Sequence, residues 1–297
     1  MSLAIVLGLA ALLVGLIVGT PRWRAWRRER WAAQPFPPEW RAILRRRVPL
    51  YRRLPAHLQQ QLRRHVQVFL AEKPFIGCAG LTVTDDMRVT IAAQAALLRL
   101  NRGGPLFPEL KQVLVYPGAF VVDRVHAEPG GVLREQRRAL SGESWSQGQV
   151  ILSWEDVLAG ARVVDDGHNV VLHEFAHQLD QESGTANGAP RVGSRVAQAR
   201  WARVMNAEFD ALHARLRARA AARPPVPAWD AWYVPGQTPP AEEPPELISD
   251  YGATNPAEFF AVVTEVFFEQ PGALAERHPQ MFTVLRDYYA VDPREWH

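Results

Sequence analysis

Cysteine and lysine are the residues that this sequence has least of. Cys78 is the only cysteine among 297 residues, so neither an intrachain disulfide nor a thiolate zinc cluster can form. Lysine occurs only at Lys73 and Lys111, which we interpret as a compositional bias towards arginine. Hydrophobic residues make up 47% of the chain and charged residues 22%. This composition excludes a disordered or collagen-like protein, and the length is sufficient for a buried core.

The start of the chain lacks the charge order of a secretory signal. Leu3 to Gly19 is an uncharged apolar run, and the arginines follow it instead of preceding it. A helix of this length approaches the thickness of a bilayer core, so we predict a single-pass transmembrane anchor over residues 1–21. A basic juxtamembrane linker would follow over residues 22–47. Because positive charge stays inside, the remaining chain is predicted to lie on the cytoplasmic side of a bacterial inner membrane.

Basic charge is concentrated in the first part of the chain. Residues 1–64 carry 13 arginines against only Glu29 and Glu39. Anionic headgroups explain a basic segment beside an apolar run, so the membrane is the predicted partner of this segment. The chain has no helix-turn-helix or zinc-finger spacing, so we predict no direct contact with nucleic acid.

The pattern along residues 48–297 predicts one mostly helical α+β domain with a small sheet. Eight prolines between residues 223 and 245 predict an irregular loop, for which a lid and a solvated insertion both remain open. Helix and strand periodicities place the other elements. The predicted helices are Leu54–Leu70, Asp85–Leu100, Glu155–Ala161, Gly167–Glu182 with Asp165 or Asp166 as its N-cap, Val196–Ala222, Thr254–Glu269 and Leu274–Tyr289, and the predicted strands lie within Gln112–Val122 and Gln149–Trp154.

The strongest chemical signal is the pentapeptide HEFAH at residues 173–177. On a helix, His173 and His177 lie one turn apart on one face and can bind one metal ion. Glu174 lies about 100° around the helix, from where it can reach a metal-bound water. This is the HExxH arrangement of zinc hydrolases, in which the glutamate acts as general base. The alternative is a histidine pair exposed on a solvated helix.

A catalytic zinc ion needs a third protein ligand, and without a nearby cysteine it must be His, Asp or Glu. Glu258 is the first candidate because apolar neighbours, including Phe259 and Phe260, would bury its carboxylate, which then needs a partner. Glu265 lies seven residues further on nearly the same face and is the second candidate. We expect Glu269 to face solvent.

These two blocks carry a resemblance to a known family. HEFAHQLD at 173–180, together with YGATNPAEFFAVVTEVFFE at 251–269, resembles the Mlc titration factor A family of bacterial zinc peptidases. The second block is also similar to the catalytic domain of anthrax lethal factor. LVYPGAFVV at 114–122 and SGESWSQGQVILSWEDV at 141–157 extend the resemblance, which covers about residues 48–293.

The resemblance implies a zincin-like fold and a role for each matching residue. It implies zinc ligation by His173, His177 and Glu258 and a general base at Glu174. It also implies that the Tyr251 phenol donates a hydrogen bond to the developing oxyanion. The anchor and the long proline-rich stretch depart from the family pattern.

Two further assignments stay open at the level of sequence. Asp180 either orients a ligand imidazole through the second ring nitrogen or forms a salt bridge on the helix surface. The strand Gln149–Trp154 is either a core strand or, by analogy with other zinc peptidases, an edge strand that pairs with the substrate backbone.

The predicted function is a zinc-dependent peptidase that acts on a peptide or protein, with aminopeptidase activity as one option. The resemblance adds an Mlc-like transcriptional repressor as a possible partner. The alternative is a binding protein that sequesters the repressor and has a non-catalytic zinc site. A structural site does not need Glu174, which favours the peptidase.

Overall fold

The computed structural model describes residues 3–127, 133–140, 142–145, 148–222 and 246–296. The proline-rich stretch 223–245, predicted as a loop, lies outside them. The helices are α1 Leu3–Ala32, α2 Pro38–Arg47, α3 Pro49–Arg53, α4 Ala56–Glu72, α5 Asp85–Leu97, α6 Trp154–Arg162, α7 Val170–Gln181, α8 Arg195–Ala222, α9 Pro256–Glu269, α10 Pro271–Arg277 and α11 Pro279–Tyr289. The strands are β1 Phe75–Gly77, β2 Gln112–Tyr116, β3 Phe120–Ala127, β4 Leu133–Leu140, β5 Gly142–Trp145 and β6 Gln149–Ser153.

The predicted α+β class with a small sheet is confirmed. The main sheet has the order β1-β2-β6-β5, in which β2 runs parallel to β1 and β6 while β5 runs antiparallel to β6. A separate antiparallel pair is formed by β3 and β4. The edge-strand interpretation of Gln149–Trp154 was wrong, because β6 hydrogen-bonds to β2 on one side and β5 on the other. Over the described residues, the edge strand on this side of the sheet is β5, which is paired with β6.

The N-terminal helix does not end where the predicted anchor should end. α1 continues through Pro21 to Ala32, and its second half lies against α4. There Arg28 pairs with Glu72 at 2.6 Å, and Glu29 pairs with Arg64 at 2.9 Å. Over the described residues, no helix is both long and apolar enough to cross a bilayer, so the predicted transmembrane anchor is not supported. The predicted domain limits and cellular location stay predictions.

Helix α5 forms the centre of the core. Its N-terminus is capped by Thr84, whose Oγ1 accepts from the Met87 N–H, and Asp85 and Asp86 complement the helix dipole. Small residues in the sequence IAAQAAL let the neighbouring elements approach closely, and every residue from Val89 to Leu97 is buried. The core also includes Ile43 and Leu44 of α2, a segment that the sequence pattern assigned to a linker.

Helix α9 is completely buried beyond its first turn. All residues from Phe259 to Glu269 are buried, and α7 packs along this helix. The predicted single helix Leu274–Tyr289 is instead two helices, α10 and α11. The break lies at His278, because a residue before proline is driven out of the helical region and Pro279 starts the next helix.

Candidate metal centre

Helix α7 carries the HEFAH motif. It begins at Val170, three residues after the predicted start at Gly167. Asn169 is the N-cap, with its Oδ1 accepting from the Leu172 N–H at 3.1 Å. The expected caps Asp165 and Asp166 were wrong, because Gly167 between them and α7 has φ +77° and interrupts the helix. Asp166 instead accepts from the His168 N–H at 3.0 Å.

The two histidines of the motif point to the same carboxylate. The ring centroids of His173 and His177 are 4.9 Å apart, as expected for residues one helical turn apart. The Oε2 atom of Glu258 lies 3.0 Å from Nε2 of His173 and 3.3 Å from Nε2 of His177. One ligand atom from each of the three residues lies within 4.8 Å of the others. The three predicted ligands are therefore together in the fold.

Glu258 is placed by the start of α9. Asn255 caps this helix and accepts from the Glu258 backbone N–H at 3.0 Å, while Pro256 occupies the first turn. Burial alone would raise the pKa of the Glu258 carboxyl. Hydrogen bonds and charge from His173 and His177 outweigh burial and hold this pKa well below its usual range. A carboxylate that stays ionised beside two imidazoles is a suitable metal ligand.

Glu265 does not face the three ligand atoms, so its assignment as the second candidate ligand is not supported by the geometry. Its Oε1 lies 2.7 Å from Nδ1 of His173, and its Oε2 accepts from the Asn169 backbone N–H at 2.5 Å. When the ring N–H at Nδ1 donates to Glu265, Nε2 keeps its lone pair for a metal ion. Burial lowers the pKa of His173, but the charges and hydrogen bonds of Glu265 and Glu258 raise it well above its usual value.

Two imidazole nitrogens and one carboxylate oxygen form the donor set of catalytic zinc sites that keep one position for water. The convergence of these atoms, together with the carboxylate behind His173, fits a metal ion of this kind.

Comparison with known proteins decides the family. The family model described as glucose-regulated metallo-peptidase M90 matches residues 23–290, which include every candidate site residue. The chain belongs to the M90 family of metallopeptidases.

Curated relatives extend over most of the chain. An uncharacterized protein of Synechocystis is 40% identical over 98% of this chain and 97% of its own length. The Mlc titration factor A of Pectobacterium atrosepticum is 30% identical over 86% of each chain, and that of Cronobacter sakazakii is 31% identical over 88% of each. The resemblance to the Mlc titration factor A family is therefore confirmed.

In this M90 chain the general-base candidate lies inside the protein. Glu174 is only 5% exposed, although it directly follows His173 on α7. Its charge contributes to the raised pKa of His173, so its carboxylate lies near the ligand set. The alternative to a metal site was a histidine pair exposed on a solvated helix. It does not fit, because the side chains of His173 and His177 are only 12% and 11% exposed.

Tyr251 lies beside His173 and is partly exposed. It belongs to the 3₁₀ turn Asp250–Ala253, where its N–H donates to the Ser249 hydroxyl at 3.1 Å. The Tyr251 ring centroid is 5.8 Å from that of His173, and the side chain is 40% exposed. Asp250 faces away and pairs with Arg219 of α8.

Glu269 was predicted to face solvent, and this was wrong. Only 2% of Glu269 is exposed. Its carboxylate is paired inside the protein, where Asn169 Nδ2 donates to Oε1 and the Gly167 N–H donates to Oε2, both at 3.1 Å. Burial, together with the neighbouring Asp166 carboxylate, raises the pKa of Glu269 to about 8. The last turn of α9 is thus held at the first turn of α7.

One of the two roles predicted for Asp180 is excluded, and the orientation of a ligand imidazole stays a prediction. It is fully buried, so a salt bridge on the helix surface is excluded. Its Oδ2 accepts from the Gly188 backbone N–H at 2.6 Å, in the loop that follows α7. Glu265 and Glu269 fall on one face of α9 at a spacing of four, but this spacing does not indicate that the face meets α7.

Proposed function

We propose that this chain is a zinc-dependent peptidase whose metal ion is held by His173, His177 and Glu258. The observation that carries the proposal is the convergence of the two Nε2 atoms on the Glu258 carboxylate, with the Glu174 carboxylate buried beside them. Membership of a metallopeptidase family supports it.

Each protein group has a distinct task in peptide hydrolysis. When bound, zinc lowers the pKa of a coordinated water towards ~7 and polarises a carbonyl oxygen. The Glu174 carboxylate accepts the proton of the attacking water and passes it to the leaving amine. Glu265 keeps the proton of His173 on Nδ1, which fixes the ring orientation. Burial of Glu174 keeps bulk water from competing for its carboxylate.

Tyr251 is proposed to stabilise the transition state. Its ring centroid lies 5.8 Å from that of His173, and its hydroxyl can donate to an oxygen that gains negative charge during attack. A group on a short 3₁₀ turn, rather than in the core, can also adjust to the substrate. Replacing Tyr251 with Phe removes this donor and is expected to reduce kcat by about 100-fold without releasing zinc.

Glu174→Gln in the full chain tests the peptidase function. The variant keeps the shape of the side chain but cannot accept a proton. We expect about one zinc ion per chain in both proteins and a loss of peptide cleavage of at least about 100-fold in the variant. The control is Glu276→Gln, which removes a charge from an exposed position on α10.

Two outcomes would contradict the proposal. Cleavage by Glu174→Gln at the rate of the parent would exclude Glu174 as the base. Zinc retained by a parent that cleaves nothing in a broad peptide library would favour the sequestering function. Comparing peptides with free and acetylated N-termini distinguishes an aminopeptidase from an endopeptidase.

Binding of an Mlc-like repressor is the second proposed function, and the names of the relatives favour it. A binding surface that acts independently of catalysis does not need the Glu174 carboxylate. Glu174→Gln should therefore bind the repressor as the parent does in a pull-down with purified proteins. Loss of binding by a folded, zinc-loaded variant would show that the two functions share one site.

A further inference from the structure

The loop that follows α7 is held from both sides at one glycine. The Gly188 N–H donates to the buried Asp180 carboxylate at 2.6 Å, and the Gly188 carbonyl accepts from Nε1 of Trp201 on α8 at 3.0 Å. Burial raises the pKa of Asp180, and the peptide N–H groups of Asn187, Gly188 and Ala189 offset part of this effect. The hydrogen bond from the Gly188 N–H thus ties this loop to the buried Asp180 carboxylate.

Gly188 also touches the start of the helix that carries Glu258. Its φ of +74° is unfavourable for any residue with a side chain. A Cβ atom at this position would lie 2.3 Å from the carbonyl oxygen of Pro256 and 2.8 Å from its carbonyl carbon. Pro256 is the first residue of α9 and precedes Glu258 by two residues. The loop therefore packs directly on the turn that presents the third ligand.

The two helices of the metal centre are thus joined at both ends. At the far end, Glu265 and Glu269 of α9 accept hydrogen bonds from Asn169 at the start of α7. At the near end, the link runs from Asp180 on α7 through Gly188 to Pro256 on α9. The near end lies at the first residue of α9, two residues from Glu258, so it bears on the distance between the Glu258 carboxylate and the histidines.

We propose that Asp180 is a positioning residue for Glu258, acting through the contact between Gly188 and Pro256. It does not touch the ligand atoms. It holds the loop against the first turn of α9, so that the Glu258 carboxylate meets His173 and His177. This inference rests on the zinc site proposed above.

Gly188→Ala in the full chain tests the proposal against a matched control, Gly193→Ala. Gly193 has nearly the same φ, +75°, but a Cβ there meets nothing within 4 Å. Both variants carry the same kind of backbone strain, and only Gly188→Ala pushes on Pro256. We expect zinc affinity, measured by chelator competition, to fall about 10- to 100-fold in Gly188→Ala and to stay near the parent value in Gly193→Ala.

Cobalt provides a second readout, because the visible absorption of Co²⁺ reports the geometry of its ligands. The Co²⁺ spectrum should change in Gly188→Ala and not in Gly193→Ala. Asp180→Asn covers the case in which Gly188→Ala does not fold. Its amide oxygen can still accept from the Gly188 N–H, but the charge that strengthens this buried hydrogen bond is lost, so we expect weaker zinc binding, by about tenfold, in a folded protein.

The outcomes separate the two levels of inference. If the parent binds no zinc, the proposed metal site fails, and the positioning function falls with it. If the parent binds zinc and folded Gly188→Ala matches Gly193→Ala in affinity and Co²⁺ spectrum, the positioning function is wrong while the metal site stands. Unchanged zinc affinity in folded Asp180→Asn would also overturn it.

Discussion

At the scale of single residues, Glu265 shows how one carboxylate can serve a metal site without binding the metal. It accepts from the ring of His173 at 2.7 Å and from the Asn169 peptide at 2.5 Å. Glu265→Gln keeps the size of the side chain but removes the charge that holds the proton on Nδ1. We expect zinc affinity to fall about 10- to 100-fold, measured by chelator competition.

The exposed Glu276→Gln variant is the control for this prediction, since it removes the same charge from a surface position on α10. A Glu265→Gln protein that binds zinc as tightly as this control would show that the carboxylate does not tune His173. A protein that loses zinc completely would instead indicate that Glu265 is itself a ligand.

At the scale of secondary structure elements, α7 depends on a cap that also reaches its neighbours. Asn169 Oδ1 caps α7, and its Nδ2 lies 2.8 Å from Gln94 Oε1 on α5 as well as bonding Glu269 on α9. Asn169→Ala therefore loses a cap and leaves buried acceptors unpaired. We expect it to lower the free energy of unfolding by about 2–4 kcal/mol.

Thr84→Ala is the comparison, because Thr84 caps α5 through one 3.4 Å bond and its loss should cost only about 1 kcal/mol. Urea unfolding of both variants measures the difference. Equal losses would mean that the bonds from Asn169 to α5 and α9 contribute nothing beyond capping.

The sequence predicted most elements because their signals are local. Apolar periodicity located α4 and α5, and Asn255-Pro256 marked the start of α9 within two residues. The order of the strands depends on contacts between distant segments, so the sequence left open whether β6 is an inner strand or an edge strand. The break between α10 and α11 needed more weight on Pro279 than on the apolar pattern around it.

The proposed metal site could be predicted from the sequence as far as its candidate ligands lie in short motifs. The His173–His177 spacing and the apolar context of Glu258 indicated the candidate ligands, whose side chains the fold brings together. The contacts of Glu265 and Glu269 with α7 were not predictable, because the sequence does not say how α9 is rotated against α7. Only that rotation turns Glu265 towards His173 and buries Glu269 at Asn169.

At the scale of the whole molecule, Glu269 links stability to pH. Its pKa rises from 4.5 to about 8 on folding. Below pH 4.5 both the folded and the unfolded chain keep this proton. Between these values only the folded chain keeps it, so rising pH favours unfolding, by at most about 1.4 kcal/mol per pH unit, and the effect ends above about pH 8.

Glu269→Gln resembles the protonated side chain and cannot titrate. We expect the free energy of unfolding of the parent to fall relative to this variant as the pH rises from 5 to 8, as measured by urea unfolding. Glu276→Gln should show no such relative slope. A difference between parent and Glu269→Gln that is constant across this range would mean that the buried carboxyl is already ionised at pH 5.

The long chain segment between the two halves of the site has a consequence for biosynthesis. His173 precedes Glu258 by 85 residues, and α9 lies close to the end of the chain. A polypeptide leaving the ribosome therefore completes the histidine helix long before its carboxylate partner exists. The proposed hydrolytic activity would start only once the segment up to Glu258 has been synthesised, so nascent chains and products that terminate before Glu258 would be inert towards the proteins around them.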